Sequence, residues 1–313
     1  MKTYFLPDGQ NEIKPLPRAV AIGIFDGVHR GHQKILKAVV QEARRRKIIP
    51  AAVTFDPHPA KILYPTREFH PTILMSLAHR LKTLERFGIR ETFVVRFSKK
   101  FSKISHNDFL KKILLETLKM RMVSVGSDFR FGHRGLGDAV FLIQRAGQDG
   151  FKVKFTRALR FGKEAISSTR IRRVIEKGGL ASAGRMLGRP VSVMGTVVRG
   201  RGRGKKLGFP TANLNPHHEA LPPPGVYAAR GFLGKKHLKG VIHIGERPTF
   251  KDRQKSLEVH FFNFHATIYG RDVELIFVAK LRNIRRFANP AELTRAIQKD
   301  ARKAVEILKN VGS

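Results

Sequence analysis

Two histidines stand three residues apart in a glycine-containing segment whose composition suits phosphate binding. Residues 25–32 read FDGVHRGH, which places His29 and His32 where a helix is predicted to begin after a short apolar strand. Side chains three apart share one face of a helical turn, and a helix N-terminus attracts phosphate through its free N–H groups. Gly31 lets phosphate approach the backbone closely. The pattern favours a polyphosphate site; the alternatives are a surface or capping pair, or a zinc pair, which needs a third ligand.

A second candidate segment combines glycines with cations. Residues 195–214 read GTVVRGRGRGKKLGFPTANL. Glycine-rich backbone can wrap phosphate, and the interleaved Arg and Lys side chains add positive charge. By composition alone, this loop is equally typical of an RNA-binding segment.

The elements that must position the histidine segment alternate between strand and helix. Strands are predicted at residues 19–25, 50–55, 91–95 and 122–126, and helices at residues 32–46, 77–87, 108–119 and 139–148. This order predicts a mostly parallel sheet with helices on both faces, in which ligands bind at the carboxyl ends of the strands. The histidine segment follows the first of these strands directly.

The sequence pattern changes after Arg189-Pro190. Short apolar runs then alternate with Gly and Pro turns, at residues 191–198, 225–232, 239–244, 257–264 and 273–281. Closely spaced strands with few helices indicate an antiparallel barrel or sandwich, and a final helix is predicted after Asn289-Pro290. We therefore expect two domains, residues 1–187 and residues 188–313.

Length and composition fit a two-domain protein of a reducing compartment. The chain has 313 residues and no cysteine, which removes disulfides, thiolate metal sites and cysteine nucleophiles. It has no apolar run long enough for a transmembrane helix, and residues 1–10 lack the pattern of a signal peptide. We expect a cytoplasmic enzyme or binding protein without a membrane partner.

The formal net charge of +37 is the one unusual bulk property. Basic surfaces bind nucleic acid by releasing counterions from phosphates. The surplus is spread evenly, however, with 37 basic and 15 acidic residues in 1–187 against 24 and 9 in 188–313. An even surplus favours a solvated surface that attracts anionic substrates over a specific nucleic-acid site.

Four segments of the first half resemble FAD synthetases, which are FMN adenylyltransferases with a Rossmann-like α/β fold of the HxGH nucleotidyltransferase type. They read GIFDGVHRGH at 23–32, VTFDPHP at 53–59, VGSDFRFG at 125–132 and ISSTRIR at 166–172. HxGH alone occurs in several nucleotidyltransferases, whereas the four segments in this order are highly specific. The resemblance implies that the phosphate of FMN attacks the α-phosphorus of ATP and that pyrophosphate leaves. Such a step needs positioning and charge neutralisation.

By the same resemblance, the two imidazoles hold the ATP phosphates, and the ISSTRIR segment holds the departing pyrophosphate. The catalytic residues so assigned are His29, His32 and Arg172. The phosphate-binding residues are Gly23, Phe25, Asp26, Gly27, Gly31, Ser168 and Thr169, and the flavin contacts are Phe55, Pro57, Asp128 and Phe129. The alternatives are a turn role for the aspartate and plain core packing for the aromatic side chains.

The second half resembles riboflavin kinases nearly from end to end. GFPTAN at 208–213 is the hallmark segment, and it is followed in the family's order by PGVY at 224–227, GERPTF at 245–250, LEVH at 257–260 and Tyr269-Gly270. These two families are commonly fused in bacteria in this order. The whole chain is thus similar to bifunctional riboflavin kinase/FAD synthetases, and an all-β antiparallel barrel with a terminal helix is expected for the second half.

The kinase resemblance also implies roles for individual residues. Thr211 and Asn213 would hold Mg²⁺ and the ATP phosphates, since oxygen ligands suit this ion. Glu258 would be the general base that takes the proton of the ribityl 5′-hydroxyl as this oxygen attacks the γ-phosphorus; a surface role at a strand edge is the alternative. The expected phosphate-binding residues around them are Gly204, Lys205, Gly208 and Pro210.

Two positions depart from the kinase pattern. His243 stands where the family usually has Asn, and Asn263 stands where it usually has Asp. Neither position is an expected base or metal ligand, so the departures bear on flavin affinity more than on the reaction.

The expected function is the conversion of riboflavin to FMN and of FMN to FAD, with ATP as the co-substrate of each step. The expected partners are these small molecules, without a specific nucleic acid, and the expected state is a monomer or weak homo-oligomer. Two alternatives stay open here. One domain is active while the other only binds flavin, or the chain is a basic polynucleotide-binding protein built on an enzyme scaffold.

Overall fold

The computed structural model describes residues 1–6, 13–64, 72–200, 202, 204, 207–246 and 255–310. The chain divides into two compact units. The α/β unit comprises Met1–Pro71 and Arg80–Ser168, and the barrel unit comprises Thr72–His79 and Thr169–Ser313. Lys205 and residues 247–250 of the GERPTF segment lie outside the described residues. No described helix is both long and apolar enough to cross a membrane.

A parallel sheet forms the centre of the α/β unit. Its strands are β1 (Lys2–Leu6), β2 (Arg18–Ile22), β3 (Ile49–Asp56), β4 (Glu91–Arg96), β5 (Met120–Gly126) and β6 (Lys152–Thr156). They lie in the order β1-β4-β3-β2-β5-β6. The central strand β2 is buried along its whole length, as expected for a strand covered on both faces. A short hairpin follows, made of β7 (Arg160–Phe161) and β8 (Glu164–Ala165).

Helices cover this sheet as the alternating pattern predicts. They are α1 (Arg30–Arg46), α2 (Pro59–Leu63), α3 (Leu77–Arg86), α4 (His106–Asp108) and α5 (Ala139–Asp149). Helix α1 packs on β2, β3 and β5. Lys47 caps its C-terminus, because its left-handed backbone directs its N–H to the carbonyls of Ala43 and Arg44. The helix predicted at 108–119 is confirmed in position, but Phe109–Thr117 has π-helical geometry.

The strand order reverses beside β2, which fixes where ligands can bind. From β2 the chain passes to β3 on one side, and it later returns to β5 on the other. In open α/β sheets, ligands bind beyond the carboxyl ends of the strands at such a switch point. The segment after β2 carries the two histidines, and the segment after β5 carries Asp128 and Phe129. Two of the predicted motifs therefore leave the sheet side by side.

The sequence of the second half predicted an antiparallel barrel or sandwich, and the structure shows a closed barrel. Its strands are β9 (Ser192–Val198), β10 (Ala212–Asn215), β11 (Gly225–Leu233), β12 (Lys236–Glu246), β13 (Lys255–Phe261) and β14 (Asp272–Arg282). They close in the order β10-β13-β12-β11-β14-β9 with antiparallel pairing. The helices are α6 (Ser168–Glu176), α7 (Leu180–Leu187) and α8 (Pro290–Asn310). Helix α8 packs Ala304 and Leu308 against Ala228 on the outside of the barrel.

A buried ionic cluster fixes residues 72–79 to the rest of the barrel unit. His79 places Nδ1 3.0 Å from Oε2 of Glu219 and Nε2 3.4 Å from Oε1 of Glu274. Glu219 also accepts hydrogen bonds from the backbone N–H groups of Ser76 and Met194, at 2.8 and 2.9 Å. Burial alone would lower the pKa of His79, but the two carboxylates reverse this effect and raise it.

The raised pKa of His79 predicts a pH-dependent stability of the barrel unit. A histidine with a raised folded-state pKa stabilises fully below its unfolded pKa, near 6.5, and this contribution is lost as the pH rises through the folded pKa. We expect the urea midpoint of the barrel unit to fall as the pH rises above about 6.5, and His79→Gln to flatten this dependence.

Urea unfolding at a series of pH values measures this effect. The matched control is His265→Gln, because His265 is exposed and its replacement should leave the pH dependence as it is. A dependence that persists unchanged in His79→Gln would contradict the assignment to this cluster.

Candidate active sites

The turn after β2 has unusual backbone geometry. Phe25 and Val28 have left-handed backbone angles, with φ of 53° and 38°, and Gly27 lies between them at 80°. A non-glycine residue with positive φ is uncommon. The strand predicted to reach Phe25 therefore ends at Ile22. A Cβ at Gly23 would lie 3.3 Å from the Phe25 ring, so a larger residue there would require this ring to shift.

The two histidines lie together at the start of α1, as predicted. Their rings stack with centroids 3.7 Å apart, and the fully buried Phe25 ring packs edge-on against His32. His29 caps the helix, because its Nδ1 accepts a 3.4 Å hydrogen bond from the N–H of His32. A neutral imidazole that accepts at Nδ1 carries its proton on Nε2. The capping alternative is thus confirmed as a structural role, and it leaves Nε2–H as a donor.

The first turn of α1 carries no negative side-chain charge that would repel an anion. No acidic residue occurs there, and a Cβ at Gly31 would approach the His29 ring to 3.1 Å. Asp26, which precedes the helix, is buried, and its backbone carbonyl accepts a 2.8 Å hydrogen bond from the hydroxyl of Ser168. The structure therefore brings Ser168 to the histidine turn.

The other two residues of the ISSTRIR assignment lie further along α6. Thr169 is exposed and Arg172 is half-buried. They are three residues apart and so share one face of the helix. Both belong to the barrel unit, whereas Ser168 is the last residue of the α/β unit.

The predicted flavin contacts lie at the two ends of one aromatic cluster. Phe55, at the end of β3, packs against Phe97 and Phe101, with ring centroids 6.0 and 6.5 Å away. Phe129, after β5, stacks on Phe131 at 5.5 Å. The buried ring of Phe109 connects both ends. Phe109 and Phe131 are buried core residues, whereas Phe55 and Phe129, the predicted flavin contacts, stay partly exposed.

Two further predicted residues lie next to this cluster. Pro57 is exposed and follows a cis Asp56-Pro57 bond. Asp128 is also exposed, and its carboxylate folds back over Gly126, where a Cβ would lie 2.9 Å from Oδ1. Asp128 is thus a turn residue in the structure, placed at the carboxyl end of β5.

Two buried residues at this edge of the sheet were missed from the sequence. Arg80 donates hydrogen bonds to the backbone carbonyls of Ile24 and Phe55, and Thr54 donates to the same Ile24 carbonyl. An arginine in an amphipathic helical pattern predicts a solvated side chain, so its burial gives no signal in the sequence. The threonine within a strand pattern gives none either.

The barrel carries a second group of predicted residues on its outer face. Leu257 and Val259 are buried, so Glu258 between them points outward, as the alternation predicts. The hydroxyl of Thr211 donates a 3.3 Å hydrogen bond to Oε2 of Glu258. Asn213 on β10 lies directly opposite Glu258 on β13. The three polar side chains assigned to metal and base therefore lie side by side.

The glycine-rich loop packs back against these residues. A Cβ at Gly200 would collide with the Asn213 amide, and one at Gly204 would collide with the Phe209 carbonyl and lie 3.2 Å from Oγ1 of Thr211. The N–H of Phe209 donates to the Gly204 carbonyl at 2.9 Å. The loop thus closes onto the segment that carries Thr211 and Asn213.

The same segment is held from the other side. His260 Nδ1 lies 2.8 Å from the carbonyl of Pro210. Gly208 has a φ of 82°, which favours glycine in the turn before Phe209. Gly208 and Pro210, both predicted as phosphate contacts, therefore help to set the backbone conformation of this loop.

His243, a departure from the family's pattern, lies opposite Glu258 on the neighbouring strand. Burial of its ring lowers the pKa of His243, although the side chain keeps an exposed face. Glu258 opposes this shift, Arg282 adds to it, and Asp300 opposes it. A neutral imidazole beside the carboxylate is therefore favoured.

At Asn263, the second departure from the family's pattern, the structure differs from the predicted strand. The strand predicted to reach Phe264 ends at Phe261, and Asn263 has a φ of 52°. Asn adopts the left-handed conformation more readily than most residues. The segment therefore turns at this position.

The chain matches two protein-family models, one in each half. FAD synthetase matches residues 12–170, and riboflavin kinase matches residues 187–308. A solved chain from Streptococcus pneumoniae, titled as a macrolide-efflux protein, has the same fold with a TM-score of 0.81 and 26% identity over all of both chains.

Curated relatives match nearly the whole chain. The bifunctional riboflavin kinase/FMN adenylyltransferase of Escherichia coli K12 is 36% identical over 90% of both chains. The protein of the same name from Listeria monocytogenes is 36% identical over 96% of both, and that from Bacillus subtilis is 31% identical over 99% of both. With both halves matched in this order, the chain belongs to the bifunctional riboflavin kinase/FMN adenylyltransferase family.

Proposed function

We propose that each unit carries one of the two reactions of a chain that phosphorylates riboflavin to FMN and adenylylates FMN to FAD. The α/β unit would transfer the adenylyl group, and the barrel unit would transfer the phosphoryl group. The observation that carries this division is that each unit holds a separate constellation suited to phosphate. One is the stacked histidine pair at the start of α1, and the other is the Thr211–Glu258 contact on the barrel.

In the α/β unit, the ATP phosphates would lie at the N-terminus of α1. The Nε2–H of His29 and the ring of His32 would donate to phosphate oxygens, and Gly23, Gly27 and Gly31 allow close approach to the backbone. Phe25 and Asp26 would fix the turn by their burial. Ser168, Thr169 and Arg172 would hold the β- and γ-phosphates as they leave.

No protein nucleophile or base is required for this step. An oxygen of the FMN phosphate forms the new bond to the α-phosphorus, and the bond from that phosphorus to the bridging oxygen of pyrophosphate breaks. The attacking oxygen is already anionic. Positioning of the two phosphates and neutralisation of their charge therefore supply the acceleration.

The flavin of FMN would contact the exposed edges of the aromatic cluster. Phe55 and Phe129 are partly exposed, and aromatic side chains stack favourably on flat rings. Pro57 and Asp128 would border the same surface. Phe55 and Pro57 lie at the end of β3, and Asp128 and Phe129 follow β5. These two strands flank β2 in the sheet.

In the barrel unit, Glu258 would take the proton of the ribityl 5′-hydroxyl. The freed oxygen attacks the γ-phosphorus of ATP, and the bond to the β-phosphate oxygen breaks. Gly204, Lys205, Gly208 and Pro210 would shape the loop around the phosphates. The contact from Thr211 supports this role, because it orients the carboxylate toward the loop.

The oxygen groups of Thr211 and Asn213 fit Mg²⁺. Within the described part of the chain, no three His, Asp or Glu side chains are grouped to hold a metal ion. Mg²⁺ usually takes one or two protein ligands and completes its shell with substrate phosphates and water. When bound there, the ion would neutralise phosphate charge. ATP-using enzymes of these families generally use a divalent metal; the identity of the ion is our proposal.

The substrates of the chain are small molecules, namely riboflavin, FMN and ATP. A cytoplasmic location and a monomeric or weakly associated state remain proposals. The location is proposed because a chain without cysteine suits a reducing compartment. The evenly spread charge of +37 is proposed to attract anionic substrates and no specific nucleic acid.

Replacement of the proposed base should stop the kinase step alone. We expect Glu258→Gln to lower FMN formation from riboflavin by about 10²–10⁴-fold, because proton removal by a positioned base supplies acceleration of that size. FAD formation from added FMN should stay close to normal. Chromatographic separation of riboflavin, FMN and FAD measures both. The matched control is Glu306→Gln, at an exposed position on α8, which should affect neither. Retained kinase turnover in Glu258→Gln would overturn the assignment.

A capping substitution separates the two roles of His29. Asn is a good N-cap, so His29→Asn should keep the thermal stability of the α/β unit while it removes the imidazole. We expect FAD formation from FMN to fall by about 10²–10³-fold, with FMN formation unaffected. His29→Ala should lose turnover to a similar extent and also lower the stability by ~1 kcal/mol. If His29→Asn keeps normal FAD formation, His29 only caps the helix.

A further inference from the structure

The left-handed turn after β2 needs an external support. Phe25 and Val28 are non-glycine residues with φ of 53° and 38°. Such conformations persist only where the surrounding structure over-determines them, and they cluster at functional sites. Both side chains are completely buried, which holds the side chains but does not fix the peptide that precedes the turn.

That peptide is held by two side-chain donors. The carbonyl of Ile24 accepts a 2.8 Å hydrogen bond from Nη1 of Arg80 and a 3.0 Å hydrogen bond from Oγ1 of Thr54. Both donors are buried, with Thr54 fully covered and Arg80 4% exposed. Ile24 immediately precedes the left-handed Phe25. The two donors therefore fix the point at which the turn departs from β2.

Arg80 also holds the neighbouring segment. Its Nη2 donates a 3.0 Å hydrogen bond to the carbonyl of Phe55 and lies 3.7 Å from the carboxylate of Asp56. One planar guanidinium thus bridges the end of β2 to the end of β3. A lysine ammonium lacks this fork geometry.

The charge of Arg80 is balanced inside the unit. Burial lowers the pKa of Arg80, and the carboxylates of Asp26 and Asp56 oppose this shift. The guanidinium offsets one of the two negative charges near the histidine turn. This reduces the repulsion that the two carboxylates would exert on an anionic nucleotide.

We propose that Arg80 and Thr54 are positioning residues for adenylyl transfer. They hold the histidine turn, where ATP phosphates are proposed to bind, in a fixed place relative to Phe55, where FMN is proposed to bind. This inference rests on the proposed function of both segments. An in-line attack depends on the relative placement of the two reactants, and a displacement of about 1 Å can cost about 10²-fold in rate.

Single-turnover kinetics with enzyme in excess tests this directly. The rate constant at saturating enzyme reports the bound complex and does not depend on the fraction of inactive protein, so a merely structural role would leave it unchanged. We expect Arg80→Met to lower this rate constant for FAD formation by about 10²-fold. Arg80→Lys should recover part of the loss, since it keeps the charge but cannot bridge both carbonyls.

Thr54→Val gives a milder second test in case the arginine variant folds poorly. It removes one of the two donors to Ile24 while keeping the shape of the side chain. We expect the rate constant to fall about threefold to tenfold. The matched control is Thr92→Val, because Thr92 is equally buried and its hydroxyl contacts the sulfur of Met1 instead.

Arg18→Met is the matched control for the arginine. Arg18 is as buried as Arg80 and also donates to backbone carbonyls, at Leu16 and Leu118. It begins β2, so it lies at the amino edge of the parallel sheet, opposite the proposed site. We expect Arg18→Met to lower the unfolding temperature but to keep the single-turnover rate constant. FMN formation on the same preparations should stay normal in every variant.

The outcomes distinguish this inference from the proposed function. Loss of FAD formation in His29→Asn with normal rate constants in Arg80→Met and Thr54→Val would overturn the positioning role alone. Normal FAD formation in His29→Asn would overturn the proposed site itself. Full recovery by Arg80→Lys would show that charge suffices and would overturn the bridging role. Equal losses in Arg18→Met and Arg80→Met would also contradict it.

Discussion

In the α/β unit, the chain leaves β2 through a turn with left-handed backbone angles, which most residues avoid. Many contacts of the neighbouring residues hold this turn in place. Two non-glycine residues in left-handed conformation cost ~1–3 kcal/mol each. Burial of Phe25 and Val28, and the hydrogen bonds that Arg80 and Thr54 donate to Ile24, offset this cost. The consequence is that α1 begins with two stacked imidazoles at the switch point of the sheet.

The barrel unit places its polar residues by a different means. Pairing across β10, β13 and β12 sets Asn213, Glu258 and His243 in one row on the outer face. The glycine loop packs closely beside that row, since a Cβ at Gly200 would collide with the Asn213 amide and one at Gly204 would collide with the Phe209 carbonyl. Strand register therefore positions the polar residues of the barrel unit, whereas a left-handed turn positions the histidines of the α/β unit. Each arrangement brings the residues proposed to bind phosphate close together in its own unit.

The sequence predicted the parts of the fold that have a strong hydrophobic pattern. The central strands β2 to β5 are apolar and buried, and α1 has a clear buried face, so all were found. The edge strands β1 and β6 were missed because they are only half-buried and alternate weakly. β10 was missed because it is short and polar. Among the proposed site residues, His29, His32, Thr211 and Glu258 were named from motifs. Arg80 and Thr54 were missed because their role depends on contacts with distant backbone carbonyls, which no local pattern encodes.

We propose two separate sites, one in each unit, for the two reactions. Mixing two defective chains tests this proposal most directly. His29→Asn and Glu258→Gln chains are incubated with riboflavin, ATP and Mg²⁺, separately and together, and FAD is followed by chromatography. Neither chain alone should form FAD at an appreciable rate, whereas the mixture should, because FMN made by the His29→Asn chain can reach the intact α/β unit of the Glu258→Gln chain. FAD formation by either chain alone, or its absence from the mixture, would rule out one separate site in each unit.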